Sequence, residues 1–132
     1  MRIMVDTNVL VSALLFPASR VSRALEGIVA GHTLVLASFV IDELRDVVER
    51  KFPGKASAID RLLDRLSYET AYTPRRPEPG LFEIRDAKDY PVLYTAMTNG
   101  VDILVTGDKD FAEVRVDRPR IMTPAQFCEE YL

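Results

Sequence analysis

The fold class predicted from this sequence is α/β, organised on a parallel sheet, and three observations carry that prediction. Short strand-like runs occur at Ile3–Val5, Thr33–Leu36, Ile103–Val105 and Arg120–Met122, with a weaker one at Ala71–Thr73. Helical patterns fill the intervals, and such alternation favours a parallel sheet with helices on both faces. Two of the runs end abruptly in polar residues, Asp6-Thr7-Asn8 after the first and Thr106-Gly107-Asp108 after a later one. In open α/β sheets the crevice beyond the carboxyl ends of the strands is where ligands bind.

Size and composition agree with this class. A chain of 132 residues is long enough for one domain, residues 1–132, with a substantial core. Apolar residues make up 48% and charged residues 28%, as in ordinary globular proteins. No apolar run approaches the roughly 18 residues of a membrane span. The N-terminal run is broken at Asp6, which argues against a signal peptide. A single cysteine, Cys128, excludes an intrachain disulfide and fits a reducing cytoplasm. The formal charge of −3 speaks against a dedicated nucleic-acid binder. It leaves room for a nucleic-acid enzyme whose own acids hold metal ions.

The helices follow in order. Val9–Leu15 reads as a short helix stopped before Pro17. Ser19 is placed to cap a helix over Val21–Ala30, closed by Gly31. Ser38 is placed to cap another, running to about Phe52 ahead of Pro53-Gly54. On it Val40, Leu44, Val47 and Val48 form a core-facing stripe. A fourth helix is expected from Ser57 to about Thr70, with Ile59, Leu62, Leu63 and Leu66 on one side. Thr73-Pro74-Arg75-Arg76-Pro77-Glu78-Pro79-Gly80 reads as a surface loop, because its prolines exclude regular structure. A helix from about Tyr90 through Asn99, with Pro91 in its first turn, is stopped by Gly100. Thr123-Pro124 opens a short C-terminal helix.

The acids carry the chemistry. Asp6 and Asp108 each follow a strand, so a parallel sheet puts both on one edge, Gly107 permitting a tight turn before Asp108. The bland alternative is that each only caps the turn or helix that follows. Glu43 sits beside the apolar stripe of its helix and can lean toward that edge, whereas Asp42 points nearly away, at about 100° per residue. The alternative for Glu43 is a solvated flank pairing with Arg50 or Lys51. Asp89 precedes a helix and can be cap, ligand or both, with Asp86 three residues earlier competing for either role. Asp110 is placed to act as an outer or water-mediated ligand. Converging carboxylates repel and raise one another's pKa values unless cations bind. Mg²⁺ or Mn²⁺ suits an all-oxygen set, and one His and one Cys leave no zinc reading. Two such ions suit phosphodiester hydrolysis.

Four segments together resemble the motifs of a known family. Val5-Asp6-Thr7-Asn8-Val9-Leu10, Ser38-Phe39-Val40-Ile41-Asp42-Glu43-Leu44, Arg85-Asp86-Ala87-Lys88-Asp89 and Leu104-Val105-Thr106-Gly107-Asp108-Lys109-Asp110-Phe111 resemble, in order and spacing, the motifs of PIN-domain ribonucleases. The branch most similar is the VapC-like toxin group of toxin–antitoxin systems. The resemblance implies a three-layer α/β/α domain, a parallel sheet of about five strands, and Mg²⁺- or Mn²⁺-dependent RNA cleavage. It also implies a homodimer and an antitoxin partner. By position, Asp6, Glu43, Asp89 and Asp108 match the family's acidic quartet. Asn8 and Thr106 match its supporting polar positions, and Asp110 matches a frequent extra acid. The third motif departs from the family in having Asp89-Tyr90 where relatives often have two adjacent acids.

Arg85 and Lys109, next to these acids, are candidate phosphate contacts; Arg75 and Arg76 read as solvated loop charges. His32 lies in a turn and is no general-base candidate. Cys128 reads as packed in the last helix, and Phe127 and Leu132 there support either the core or a dimer contact. Two other classes compete. A haloacid-dehalogenase-like phosphoryl transferase would want a second acid where Asn8 stands. A receiver domain would want a phosphorylatable Asp after a middle strand, and a binding module would have no need of all four acids.

Overall fold

The computed structural model describes all residues from Met1 to Leu132. Five parallel strands form its sheet: β1 (Arg2–Val5), β2 (Thr33–Ala37), β3 (Tyr68–Ala71), β4 (Ile103–Val105) and β5 (Arg120–Met122), in the order β3-β2-β1-β4-β5. Six helices connect and flank them: α1 (Thr7–Leu15), α2 (Arg20–Gly31), α3 (Ser38–Lys51), α4 (Ala56–Arg65), α5 (Tyr90–Thr98) and α6 (Pro124–Tyr131). Successive residues of a strand face opposite sides of a sheet. Ile3, Met4 and Val5 are all fully buried, so helices cover both sheet faces and the layers are α/β/α. No helix is long and apolar enough to cross a membrane.

The expected elements are largely present, with three corrections. The fourth helix stops at Arg65 and does not reach Thr70; Tyr68–Ala71 is strand, upstream of the expected Ala71–Thr73. The reason is backbone pairing. β2 is buried over Leu34–Ala37, and an open edge there would leave peptide groups without partners. Pairing Leu34 with Tyr68 through to Ala37 with Ala71 closes it, and Tyr68 and Thr70 suit a strand. Leu66, expected on the helix stripe, is already extended at its C-cap.

Ser38 is the second correction. The N-cap of α3 is Ala37, without a side-chain bond, and Ser38 Oγ instead accepts the Thr73 N–H at 2.8 Å. Thr73 Oγ1 in turn accepts the Phe39 N–H and pairs at 2.9 Å with the buried Thr95 hydroxyl, whose own proton goes to the Pro91 carbonyl. These bonds tie the starts of α3 and the proline-rich loop to α5. Third, Gly107 has no positive φ, so the turn to Asp108 makes no use of glycine's conformational freedom. Gly100, at φ 64°, does use it to end α5. Ser19 caps α2 through the Ser22 N–H, and Thr123 with Gln126 forms a capping box on α6.

Candidate active site at the β1–β4 switch point

The strand order fixes where the site lies. The chain runs from β1 outward to β2 and β3, then returns to place β4 on the other side of β1. At such a reversal the connections leave in opposite directions and open a crevice at the carboxyl edge. Val5 is in register with Val105, so Asp6 and Thr106 emerge side by side. The Asp6 N–H donates to the Val105 carbonyl at 3.4 Å, just beyond the ladder.

Asp6 is buried and has both oxygens engaged. Oδ1 accepts the Val9 N–H at 3.1 Å, capping α1, and Oδ2 accepts the Thr106 hydroxyl. Thr106 Oγ1 also accepts the Asp108 N–H at 3.0 Å. A relay therefore runs from the Asp108 backbone through one hydroxyl to Asp6. Burial pushes the Asp6 carboxyl up to about 6; the Thr106 and Val9 bonds oppose this, and the charges of Asp108 and Glu43 add to it.

Glu43 comes from the second turn of α3. Its Oε1 accepts the hydroxyl of Thr7, the first residue of α1, at 2.5 Å. It makes no ion pair with Arg50 or Lys51; Arg50 faces Asp46 instead, at 3.5 Å. Asp42 is exposed.

Asp89 and Asp108 meet from the other side. Their side chains are within hydrogen-bonding reach, and Asp89 also feels Asp86 and Asp110. Desolvation first, then the charges of Asp108 and Asp86, raise the Asp89 carboxyl to about 7. Asp89 makes no side-chain capping bond to α5, and its buried Oδ2 has no hydrogen-bond partner. Carboxylate oxygens of Asp86, Asp89 and Asp110 lie within 4.8 Å of one another. Asp86 also caps the turn ahead of α5 by accepting the Lys88 N–H, and Asp108 caps its own turn by accepting the Asp110 N–H at 2.9 Å. Asp86 and Asp89 are thus neighbours in one cluster with Asp110, and the two acids that follow strands, Asp6 and Asp108, each cap the turn or helix that follows.

Asp6 feels the charges of Glu43 and Asp108, and Asp89 that of Asp108, but the acids whose oxygens come within 4.8 Å of one another are Asp86, Asp89 and Asp110, not the expected four. An all-carboxylate set in which Asp6 and Asp89 are raised and one buried oxygen is orphaned fits a hard divalent cation. It offers no soft ligand. His32, the only histidine, packs edge-on against Phe127 and Tyr131.

The other expected residues are placed as follows. Asn8 is exposed on the first turn of α1, and its neighbour Thr7 makes the inward contact. Thr7 carried no role in the sequence reading, and nothing in its local pattern separates it from an ordinary helix-start residue. Arg85 is 82% exposed, with its Nε 3.8 Å from Asp110, and Lys109 is exposed beside Asp108. Arg75 and Arg76 are exposed.

Comparisons with known proteins agree with this fold. A family model described as the PIN domain matches residues 2–110. Among solved structures, VapBC2 from Rickettsia felis bound to a DNA fragment from its promoter is similar at 21% identity and TM-score 0.70, over 93% of this chain and 98% of that one. DNA-bound VapBC from Salmonella typhimurium is similar at 15% identity and TM-score 0.69, over 94% and 98%. VapC20 from Mycobacterium tuberculosis, a toxin cleaving the sarcin–ricin loop, is similar at 13% identity and TM-score 0.58, over 83% and 92%. At these identities the structures speak to the fold alone. No curated protein matches the chain.

Proposed function

The chain belongs to the PIN-domain family, and from that premise we propose that it is a divalent-metal-dependent endoribonuclease acting as the toxin of a toxin–antitoxin pair. The observation that carries the proposal is the group of Asp86, Asp89 and Asp110 oxygens beside Asp108, with Asp6 and Glu43 further along the β1–β4 switch point and Asp89 Oδ2 buried and unpartnered. The toxin assignment is supported by the VapC-like motif order and by the likeness in fold to VapBC and VapC20 structures.

In this reading Asp6, Glu43, Asp89 and Asp108 hold Mg²⁺ or Mn²⁺, with Asp110 as an additional ligand. When bound, such an ion supplies positive charge that eases ionisation of the attacking water and neutralises charge on the leaving oxygen. The chain's own residues do the rest. Thr106 aims the Asp6 carboxylate by donating to Oδ2, and the Asp108 N–H fixes that hydroxyl in turn. Asp6 and Asp89 must be ionised to act as ligands, so raised pKa values of about 6 and 7 make cation uptake compete with protons. Arg85 and Lys109 contact substrate phosphates. Water adds to phosphorus and gives up a proton, the P–O bond to one ribose oxygen breaks, and that oxygen takes up a proton.

The reading extends to a single functional domain over residues 1–132, a homodimer, an antitoxin protein as partner and a cytoplasmic location. Incubating RNA with the purified protein and Mg²⁺ or Mn²⁺ tests the core of it, with Asp6→Asn as the control. Cleavage by the wild type alone, abolished by chelation, supports the nuclease; equal cleavage by both proteins removes it from this site.

A further inference from the structure

Thr7 stands next to Asp6 in sequence, yet its hydroxyl serves a different acid. It is the first residue of α1 and is 5% exposed, with its Oγ1 turned to Glu43 Oε1. A threonine in a helix interior commonly gives its proton to a carbonyl three or four residues back. At the first helical position no helical carbonyl lies behind it, and the proton goes to Glu43. A hydroxyl has one proton to donate and Glu43, when ionised, can only accept, so the direction of the bond follows. Glu43 Oε2 has no hydrogen bond to the protein and is the oxygen left for a ligand.

Two acids of the site are held by backbone N–H groups, Asp6 by a hydroxyl as well. Asp6 is fixed by Val9 and Thr106, and Asp108 by the Asp110 N–H. Glu43 has three side-chain torsions and starts on a separate helix. Thr7 is its single hydrogen-bond partner. We propose that Thr7 is a positioning residue: its hydroxyl anchors one oxygen of Glu43 so that the other faces the Asp6–Asp108 edge, setting divalent-cation affinity through Glu43 without touching the ion. This rests on the metal-site reading above. The two-residue step Asp6-Thr7 would then supply one acid directly and orient a second across the crevice.

Cation affinity, measured as free Mn²⁺ by electron paramagnetic resonance, tests this on wild type, Thr7→Ser, Thr7→Val, Glu43→Ala and the Thr7→Val/Glu43→Ala double variant. Thermal unfolding of the metal-free proteins runs alongside. Loss of an outer hydrogen bond to a ligand costs about 10- to 100-fold in metal affinity. Thr7→Val is therefore expected to bind Mn²⁺ at least about tenfold more weakly, while Thr7→Ser, which keeps the hydroxyl, stays close to wild type. In the Glu43→Ala background Thr7→Val should cost nothing further, because the residue it acts through is gone. Should Val be rejected by the fold, Thr7→Ala carries the same comparison. Unaltered Mn²⁺ binding in Thr7→Val, or an equal loss with and without Glu43, overturns the role of Thr7 alone. No Mn²⁺ uptake by the wild type overturns it together with the metal reading.

Discussion

The hydroxyl of Thr106 donates to the carboxylate of Asp6 across one hundred residues of sequence, in a buried setting where both are under about a twentieth exposed. That bond joins the ends of β1 and β4, the two strands between which the sheet reverses direction. Its acceptor is a buried acid beside two other acids, so the hydroxyl both lowers the cost of charge on Asp6 and fixes the direction of its oxygens.

Replacing Thr106 by Val keeps shape and burial but removes a donor to Asp6 and an acceptor for the Asp108 N–H. The Asp6 pKa should rise further, and cleavage at pH 7 should fall by about 10- to 100-fold. Raising the pH should recover part of that loss in Thr106→Val and little in wild type. A pH–rate profile of both proteins reads the difference.

Asp6→Asn should separate activity from stability. Cleavage should drop by at least about 100-fold, since a ligand is lost. Metal-free thermal stability at pH 7.5 should rise by a few degrees, because a buried charge beside Asp108 and Glu43 is removed. Calorimetry without divalent ions, alongside an RNA cleavage assay, checks both halves. A less stable Asp6→Asn protein would contradict the charge-repulsion account.

The pH dependence follows from the raised carboxyls. Asp6 at about 6 and Asp89 at about 7 bind protons more tightly folded than unfolded, where Asp titrates near 3.8. Between these values the native state carries more protons, so metal-free stability falls as pH rises from about 4 to 7. Cations compete with those protons. The increase in melting temperature given by Mn²⁺ should therefore be larger at pH 7.5 than at pH 5.5, and a scan at both values measures it.

Lys109→Ala and Arg85→Ala test the phosphate contacts. Both side chains are exposed, so folding should change little. KM for RNA should rise several-fold with kcat nearly kept, and the salt slope should shallow by about 1 for each cation removed. Arg85 also lies 3.8 Å from Asp110, so its loss should leave Mn²⁺ affinity equal or slightly higher.

What the sequence alone determined was the class of fold and where several of its elements begin and end. Apolar runs at Ile103–Val105 and Arg120–Met122 became strands at those bounds, and Ser19 and Thr123 capped the helices they precede. These are local properties, legible wherever burial pattern and cap chemistry agree. Tertiary structure decided what local pattern leaves open. Tyr68–Ala71 is strand because the open edge of buried β2 needs backbone partners, a demand invisible in residues 56–70. Ser38 bonds Thr73 rather than capping α3 because the proline-rich loop returns beside it. Asp89 differs from Asp86 in having a buried, unpartnered oxygen, while Asp86 is exposed and spends an oxygen on Lys88. Thr7 and Thr106 gained their roles from acids 36 and 100 residues away. Hydrogen bonds of that reach are set by the order in which strands pair, and strand order is a property of the packed sheet rather than of any one stretch of chain.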